Sequence, residues 1–221
     1  MTVGVVVPAA GAGIRLGPGS PKALRVLAGE PLLVHAVRRL RACPSIGPVV
    51  VAAPPAAVAE VVALLAAYAV TVVPGGAERQ DSVAAALAAL PAEVELVLVH
   101  DAARALVPVE VVEAVVSALR DGADAVVPVL PVADTVKQVG VGGEVLGTVP
   151  REDLRLVQTP QGFRREVLEA AHRAAPGSLT DDAGLVEAAG VTVHTVLGSA
   201  EAFKVTTPFD LLVAEAVLAR G

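Results

Sequence analysis

The chain has 221 residues, 54% of them hydrophobic but only 2% aromatic, and a formal net charge of −6. That length suits one sizeable α/β domain with a core of Val, Leu and Ala, and the acidic balance argues against a general nucleic-acid partner while allowing a local basic pocket. A single cysteine, Cys43, excludes an intramolecular disulfide, and no apolar run reads as a membrane span of ~20 residues.

The N-terminus enters an apolar run almost at once without a basic leader, so a cytoplasmic location is expected. That run, Val3–Pro8, reads as a strand and ends in a small-residue loop that delivers Arg15 and Lys22. Tiny side chains let backbone N–H groups approach a phosphate closely, and the two cations supply the opposing charge. The loop lacks both the third glycine of a dinucleotide fingerprint and the Gly-Lys-Ser/Thr of a Walker loop. Running through Pro18, Gly19 and Pro21 to Lys22, it suits a lid over a triphosphate. A helix is expected at Pro31–Arg41, with Leu32, Leu33, Ala36, Val37 and Leu40 on one face and His35, Arg38, Arg39 and Arg41 facing out.

A strand at Pro48–Ala52, a helix at Ala56–Ala67 and a strand at Val70–Val73 follow. After them, Gly75 and Gly76 allow close approach to a flat base; Ser82 is placed to hydrogen-bond it or, like Asp81, to cap the helix Asp81–Leu90. Arg79 stands at the head of that helix, close to the expected nucleotide pocket. A strand at Leu96–His100 then presents Asp101 at its carboxyl end, where a carboxylate can hold Mg²⁺ against phosphate oxygens. His100 reads as a packed residue, and Arg104 as a partner for Asp101.

Helix Val109–Arg120 and strand Ala125–Val129 continue the alternation, and then it breaks. Val132–Val139 and Val145–Val149 flank Gly140-Val141-Gly142-Gly143 as a hairpin, so residues 131–161 are expected to project as an arm. Helices Arg164–Ala174, Asp181–Ala189 and Phe209–Ala219, with a strand at Val191–Val196, complete the chain. Thr180 or Asp181 reads as a helix cap, and Thr207-Pro208 as a helix start. Strands spaced by helices define βαβ units. The expectation is one Rossmann-like three-layer α/β domain over 1–221, with a mostly parallel sheet and a site beyond the carboxyl ends of its strands. Of 17 cationic residues only Lys22, Lys137 and Lys204 are lysines, and all three fall within the motifs quoted next.

Taken in order, PAAGAGIRLGPGSPKALRVLAGEPLL, GGAERQDSV, VLVHDAARALV, DTVK, QTPQGF, LTDDAGLVEAAG and FKVTTPFDLLVAE resemble the 2-C-methyl-D-erythritol 4-phosphate cytidylyltransferase family of non-mevalonate isoprenoid synthesis. The resemblance implies the nucleotide-diphospho-sugar transferase type of fold and CMP transfer from CTP to the sugar-alcohol phosphate, with Mg²⁺ as cofactor. It implies that Arg15 and Lys22 stabilise the transition state, with no catalytic Ser, Cys or His. Pro8, Ala9, Ala10, Gly11, Gly13, Gly75, Ser82, Asp101 and Ala102 would hold CTP, Asp101 also positioning the metal or ribose. Arg104, Thr135, Arg151, Thr159, Thr180 and Lys204 would hold the acceptor. The hairpin arm would cross into the neighbouring subunit of a homodimer, Thr135 and Arg151 completing the partner's site; no nucleic-acid or membrane partner is implied. Ala105, Phe203 and Gly184 stand where the family usually has proline, asparagine and serine. A ribitol 5-phosphate cytidylyltransferase of the same fold and a silent nucleotide-binding subunit are the alternatives.

Overall fold

The computed structural model describes residues 1–17, 19–174 and 180–220, so Pro18 of the expected lid lies outside the described residues. The valine-rich opening forms β1 (Thr2–Pro8), followed by a short hairpin of β2 (Val26–Leu27) and β3 (Glu30–Pro31), then α1 (Leu32–Arg41). Next come β4 (Val49–Ala53), α2 (Val58–Leu64), β5 (Thr71–Pro74), α3 (Arg79–Ala88), β6 (Val94–Val99), α4 (Val109–Arg120) and β7 (Ala125–Pro131). The chain then passes through β8 (Val136–Val139), β9 (Val145–Val149), β10 (Arg155–Val157) and β11 (Gln161–Arg164). It finishes with α5 (Arg165–Ala174), α6 (Asp182–Ala188), β12 (Val193–Leu197) and α7 (Pro208–Leu218).

The central sheet runs β10-β7-β11-β6-β1-β4-β5, with β12 pairing to β7. The pairs β6–β1, β1–β4, β4–β5 and β7–β12 are parallel. β11 lies antiparallel between β6 and β7, and β10 runs antiparallel to β7. The chain therefore leaves β1 toward β4 on one side and returns to β6 on the other, so the end of β1 is a switch point of the sheet. Alternation of side chains along the strands builds the two outer layers. Val5, Val7, Val51 and Leu98 pack toward α1, α2 and α4, whereas Val6, Val50, Val97, Val99 and Phe163 pack toward α3, α5 and α6. A third cluster of Leu16, Leu27, Leu32, Leu106, Val205 and Ala214 fastens α7 beside the loop that follows β1; Ala105 belongs to it and Phe203 packs against it.

The structure corrects four expectations. The segment 131–161 is not all arm: β8 and β9 form their own two-stranded sheet, but β10 and β11 return to the central one. The hairpin begins at Val136 rather than Val132, because β7 continues to Pro131. His35 is buried rather than facing out, since the β2–β3 hairpin covers it and the Leu27 carbonyl lies 2.9 Å from its Nε2. The helix expected at Ala56–Ala67 is a short α-helix bracketed by 3-10 turns, its second turn ending at Ala69 in a left-handed conformation.

Candidate active site

The loops at the carboxyl ends of β1, β5 and β6 enclose a cavity of about 730 Å³. Its lining includes Pro8, Ala9, Ala10, Gly11, Gly13, Arg15, Lys22, Ser82, Asp101 and Ala102, all singled out from sequence as nucleotide-handling residues. Lys22 is brought there by a local device. The Lys22 N–H donates to the Gly11 carbonyl at 3.1 Å, and Gly13 sits at φ +71°, where a Cβ would lie 2.6 Å from that of Lys22. Only glycine tolerates both the positive φ and the crossing of the two chain segments. Gly75 plays a similar part without lining the cavity; a Cβ there would come within 2.7 Å of Ala10 Cβ and 2.8 Å of Ser82 Oγ. Gly76 lines the cavity instead, and its N–H donates to Ser82 Oγ at 3.1 Å while that hydroxyl donates to the Glu78 carbonyl at 3.1 Å. Ser82 thus shapes the glycine loop and is not the helix cap. Helix α3 starts two residues early, after Glu78, whose N–H donates to Asp81 Oδ2 at 3.0 Å.

Asp101 forms the floor and organises the charge. Lys204 Nζ lies 2.6 Å from its Oδ2, and Arg79 Nε donates to its Oδ1 at 3.3 Å. Burial alone would raise the carboxyl, but Arg79 and Lys204 beside it hold it well below the usual carboxylate range. Arg104, expected as its partner, is engaged elsewhere: Nη1 donates to the Ala202 carbonyl at 2.7 Å and Nη2 to the Val157 carbonyl at 3.0 Å. Together with the bond from Val205 N–H to the Ala103 carbonyl at 2.8 Å, this pins the Lys204 segment to the loop after β6. Lys22 titrates low, at about 8, because burial and the charges of Lys204 and Arg15 disfavour its ammonium form. As a metal site the donor set is sparse. Asp101 and Glu78 are the carboxylates of this cavity, and no cluster of three ligating side chains occurs among the described residues. A divalent cation there would have to take most of its oxygen ligands from phosphate and water, with Asp101 the strand-end carboxylate at hand.

A second cavity of about 210 Å³ adjoins the first and shares Arg79, Asp101 and Lys204 with it. Arg104, Gln158, Thr159, Gln161, Thr180 and Asp181 complete most of its lining. Asp181 rather than Thr180 caps α6, accepting from Gly184 N–H at 3.1 Å. His100 fixes the direction of the bonds behind this wall. Its Nε2 lies 3.2 Å from the Arg104 carbonyl, which can only accept, so Nε2 carries the hydrogen and Nδ1 is the acceptor. Thr159 Oγ1, 3.1 Å from Nδ1, must donate to it, and it accepts from Asp101 N–H at 3.0 Å. Burial drives His100 down to about 4, which keeps this tautomer neutral. The Thr159 hydroxyl therefore has its proton committed, and Thr159 is 4% exposed, so toward an acceptor it can offer only a lone pair.

Thr135 and Arg151 line neither cavity; both are exposed, near the arm, with Arg151 bonded to the Ala133 carbonyl. Conversely, Arg79, Gln161 and Thr206 each line a cavity, although the sequence, which places the last two within the QTPQ and FKVTTP segments, gives none of the three a ligand of its own. The helix-head position of Arg79 was the available signal.

A three-layer α/β sheet whose switch point carries a small-residue loop, a group of cations and one strand-end carboxylate defines a nucleotidyltransferase. Over residues 3–220 the chain matches the family described as IspD, 2-C-methyl-D-erythritol 4-phosphate cytidylyltransferase, and it belongs to that family. It is 57% identical to the enzyme of that name from Streptomyces avermitilis, over 97% of this chain and 91% of the relative. It is also 57% identical to that from Saccharopolyspora erythraea, over 99% and 100%. The structure of the Thermus thermophilus enzyme superposes with a TM-score of 0.83 at 42% identity, covering all of both chains. That of the Anaerococcus prevotii synthase superposes with a TM-score of 0.86 at 27% identity, covering 99% of this chain and 98% of that one. The chain is thus an enzyme, a cytidylyltransferase of isoprenoid precursor synthesis, and the ribitol 5-phosphate alternative is not favoured.

Proposed function

We propose that this chain transfers CMP from CTP to 2-C-methyl-D-erythritol 4-phosphate by direct attack of the acceptor phosphate, with CTP in the larger cavity and the acceptor in the smaller. The observation that carries the reading is the wall the two cavities share, formed by Arg79, Asp101 and Lys204. A phosphate oxygen crossing that wall bonds to the α-phosphorus of CTP. The bond from that phosphorus to the α,β-bridging oxygen breaks, and its electron pair leaves with pyrophosphate.

No protein atom needs to form a covalent bond, so alignment and charge neutralisation supply the rate. Arg15 and Lys22 neutralise the charge that builds on the triphosphate, and small-residue backbone from Ala9 to Gly13 lets it approach. Lys204 meets the acceptor phosphate, while Arg104 and Thr159 hold the wall in place. Mg²⁺ arriving with CTP would be met by Asp101 and would draw charge from the phosphate oxygens.

We further propose a cytoplasmic homodimer in which the β8–β9 arm packs on a second copy, bringing Thr135 and Arg151 to the partner's acceptor cavity. The apolar side chains that the arm leaves in water, Val139, Val141, Val145 and Leu146, support this. Pyrophosphate release from CTP, measured with 2-C-methyl-D-erythritol 4-phosphate and with ribitol 5-phosphate in parallel, tests the reading. Turnover with the former at least ~100-fold above the latter in kcat/KM is expected. Equal rates, or none, would overturn it.

A further inference from the structure

Three cations face the acceptor cavity, and their hydrogen bonds set them apart. Both terminal nitrogens of Arg104 donate to main-chain carbonyls, leaving only its buried Nε without a partner among the described residues, and Lys204 Nζ, a point charge with three donors, rests on Asp101. Arg79 donates through Nε to Asp101 and through Nη1 to Asp182 Oδ2 at 2.6 Å, leaving Nη2 without a partner among the described residues. This guanidinium lines both cavities. It therefore stands on the wall between the cavities proposed for CTP and for the acceptor, with donor capacity in reserve.

Behind Arg79 is a second layer. The Asp182 side chain is 1% exposed, and its other oxygen, Oδ1, lies 3.1 Å from Nε2 of His172, itself 8% exposed. A carboxylate only accepts, so His172 donates in that contact. Gln161 fixes the turn around it, donating to Asp181 Oδ2 at 2.6 Å and accepting from Ala183 N–H at 3.1 Å. A buried carboxylate gripped on both oxygens has its plane fixed, and an arginine bonded to it inherits that orientation.

We propose that Arg79 binds the acceptor phosphate through its unpartnered edge, and that Asp182 and His172 are positioning residues that aim it. The inference rests on the cytidylyl-transfer reading above. Its test is steady-state kinetics on the full chain, varying CTP and 2-C-methyl-D-erythritol 4-phosphate in turn. A wild-type chain without turnover would overturn the functional reading itself. Given an active wild type, Arg79→Gln should lower kcat/KM for the acceptor by about 100-fold, with an effect on KM for CTP at least ~10-fold smaller. Arg79→Lys keeps the charge but loses the planar fork, so it should fall between; it carries the same test if the glutamine variant does not fold. His172→Leu should lower acceptor kcat/KM about 10-fold, whereas His172→Gln, which returns an N–H near the Nε2 position, should recover most of it. Acceptor kinetics within ~3-fold of wild type for both Arg79 variants, or equal losses for CTP and acceptor, would overturn the binding role. A His172→Gln variant as impaired as His172→Leu, or a His172→Leu variant like wild type, would overturn the positioning role.

Discussion

The two cavities handle charge in opposite ways. In the nucleotide cavity, Arg15 and Lys22 have no carboxylate partner among the described residues, and the largest influence on Lys22 after burial is another cation, Lys204. In the acceptor cavity many side chains are already engaged: Arg104 with carbonyls, Thr159 with His100 and Asp101, Gln161 with the start of α6. The first keeps two cations without a carboxylate of their own; the second is a preassembled scaffold. A polyanion entering the first meets Lys22, whose charge burial disfavours, which places binding energy where the reaction needs it.

The largest effect should come from breaking that first region. Lys22→Ala or Arg15→Met should lower kcat by about 10²–10³-fold while circular dichroism and gel filtration stay as in wild type. Near-normal turnover in both would remove their assigned role. Burial of Lys22, with the charges of Lys204 and Arg15 beside it, predicts a counter-intuitive stability change. Lys22 titrates at about 8 in the fold, below its ordinary value, so its charge opposes folding at neutral pH. The cost is present in full below pH 8 and fades as pH rises toward the unfolded value of about 10.4. Lys22→Met should therefore raise the melting temperature at pH 7. Triphosphate binding should raise the Lys22 pKa, so calorimetry at pH 8 in buffers of different ionisation enthalpy should show uptake of up to about half a proton, absent in the variant.

The acceptor scaffold should respond at the other end of the pH scale. His100 is buried neutral with a pKa of about 4, against an unfolded value near 6.5. The unfolded chain takes up a proton between those values, so the stability His100 provides is intact at neutral pH and lost as pH falls from about 6.5 to about 4. Asp101, held low by Arg79 and Lys204, adds stability above its unfolded pKa of about 4 and loses it below. Melting temperature should fall steeply from pH 6 to pH 4 in wild type and less steeply in His100→Gln. Parallel slopes would show that the His100–Thr159 bond does not set the acid limit.

The same contrast explains what could be read from sequence. The nucleotide cavity uses short contiguous stretches at strand ends, where small residues and a following cation have one plain use, so its lining was legible from Pro8 to Lys22 and at Ala102. The acceptor scaffold is built from contacts such as Arg79 to Asp182, separated by 103 residues, which no local pattern announces. Strand β11 escaped notice because Gln161–Arg164 offers four residues with Phe163 as its one large apolar side chain. Its place between β6 and β7 is a tertiary fact. His35 was misread because helical periodicity sees only its own helix; the β2–β3 hairpin that covers it brings the Leu27 carbonyl as its partner.

The arm belongs to neither region in one chain, and this allows a sharper cut between them. Arg151 and Thr135 are exposed and line no cavity of their own subunit, so Arg151→Ala should leave CTP binding unchanged and impair acceptor use. If the arm completes a partner's acceptor cavity, a heterodimer of Lys22→Ala and Arg151→Ala chains contains one site with both defects and one with neither. An equal mixture with free subunit exchange would then recover about a quarter of wild-type turnover, since half the dimers are mixed and each restores one of two sites. The residual activity of each variant alone sets the baseline. Recovery well above that baseline in tag-purified mixed dimers identifies a shared site, whereas activity equal to the mean of the two variants would confine the acceptor cavity to a single chain.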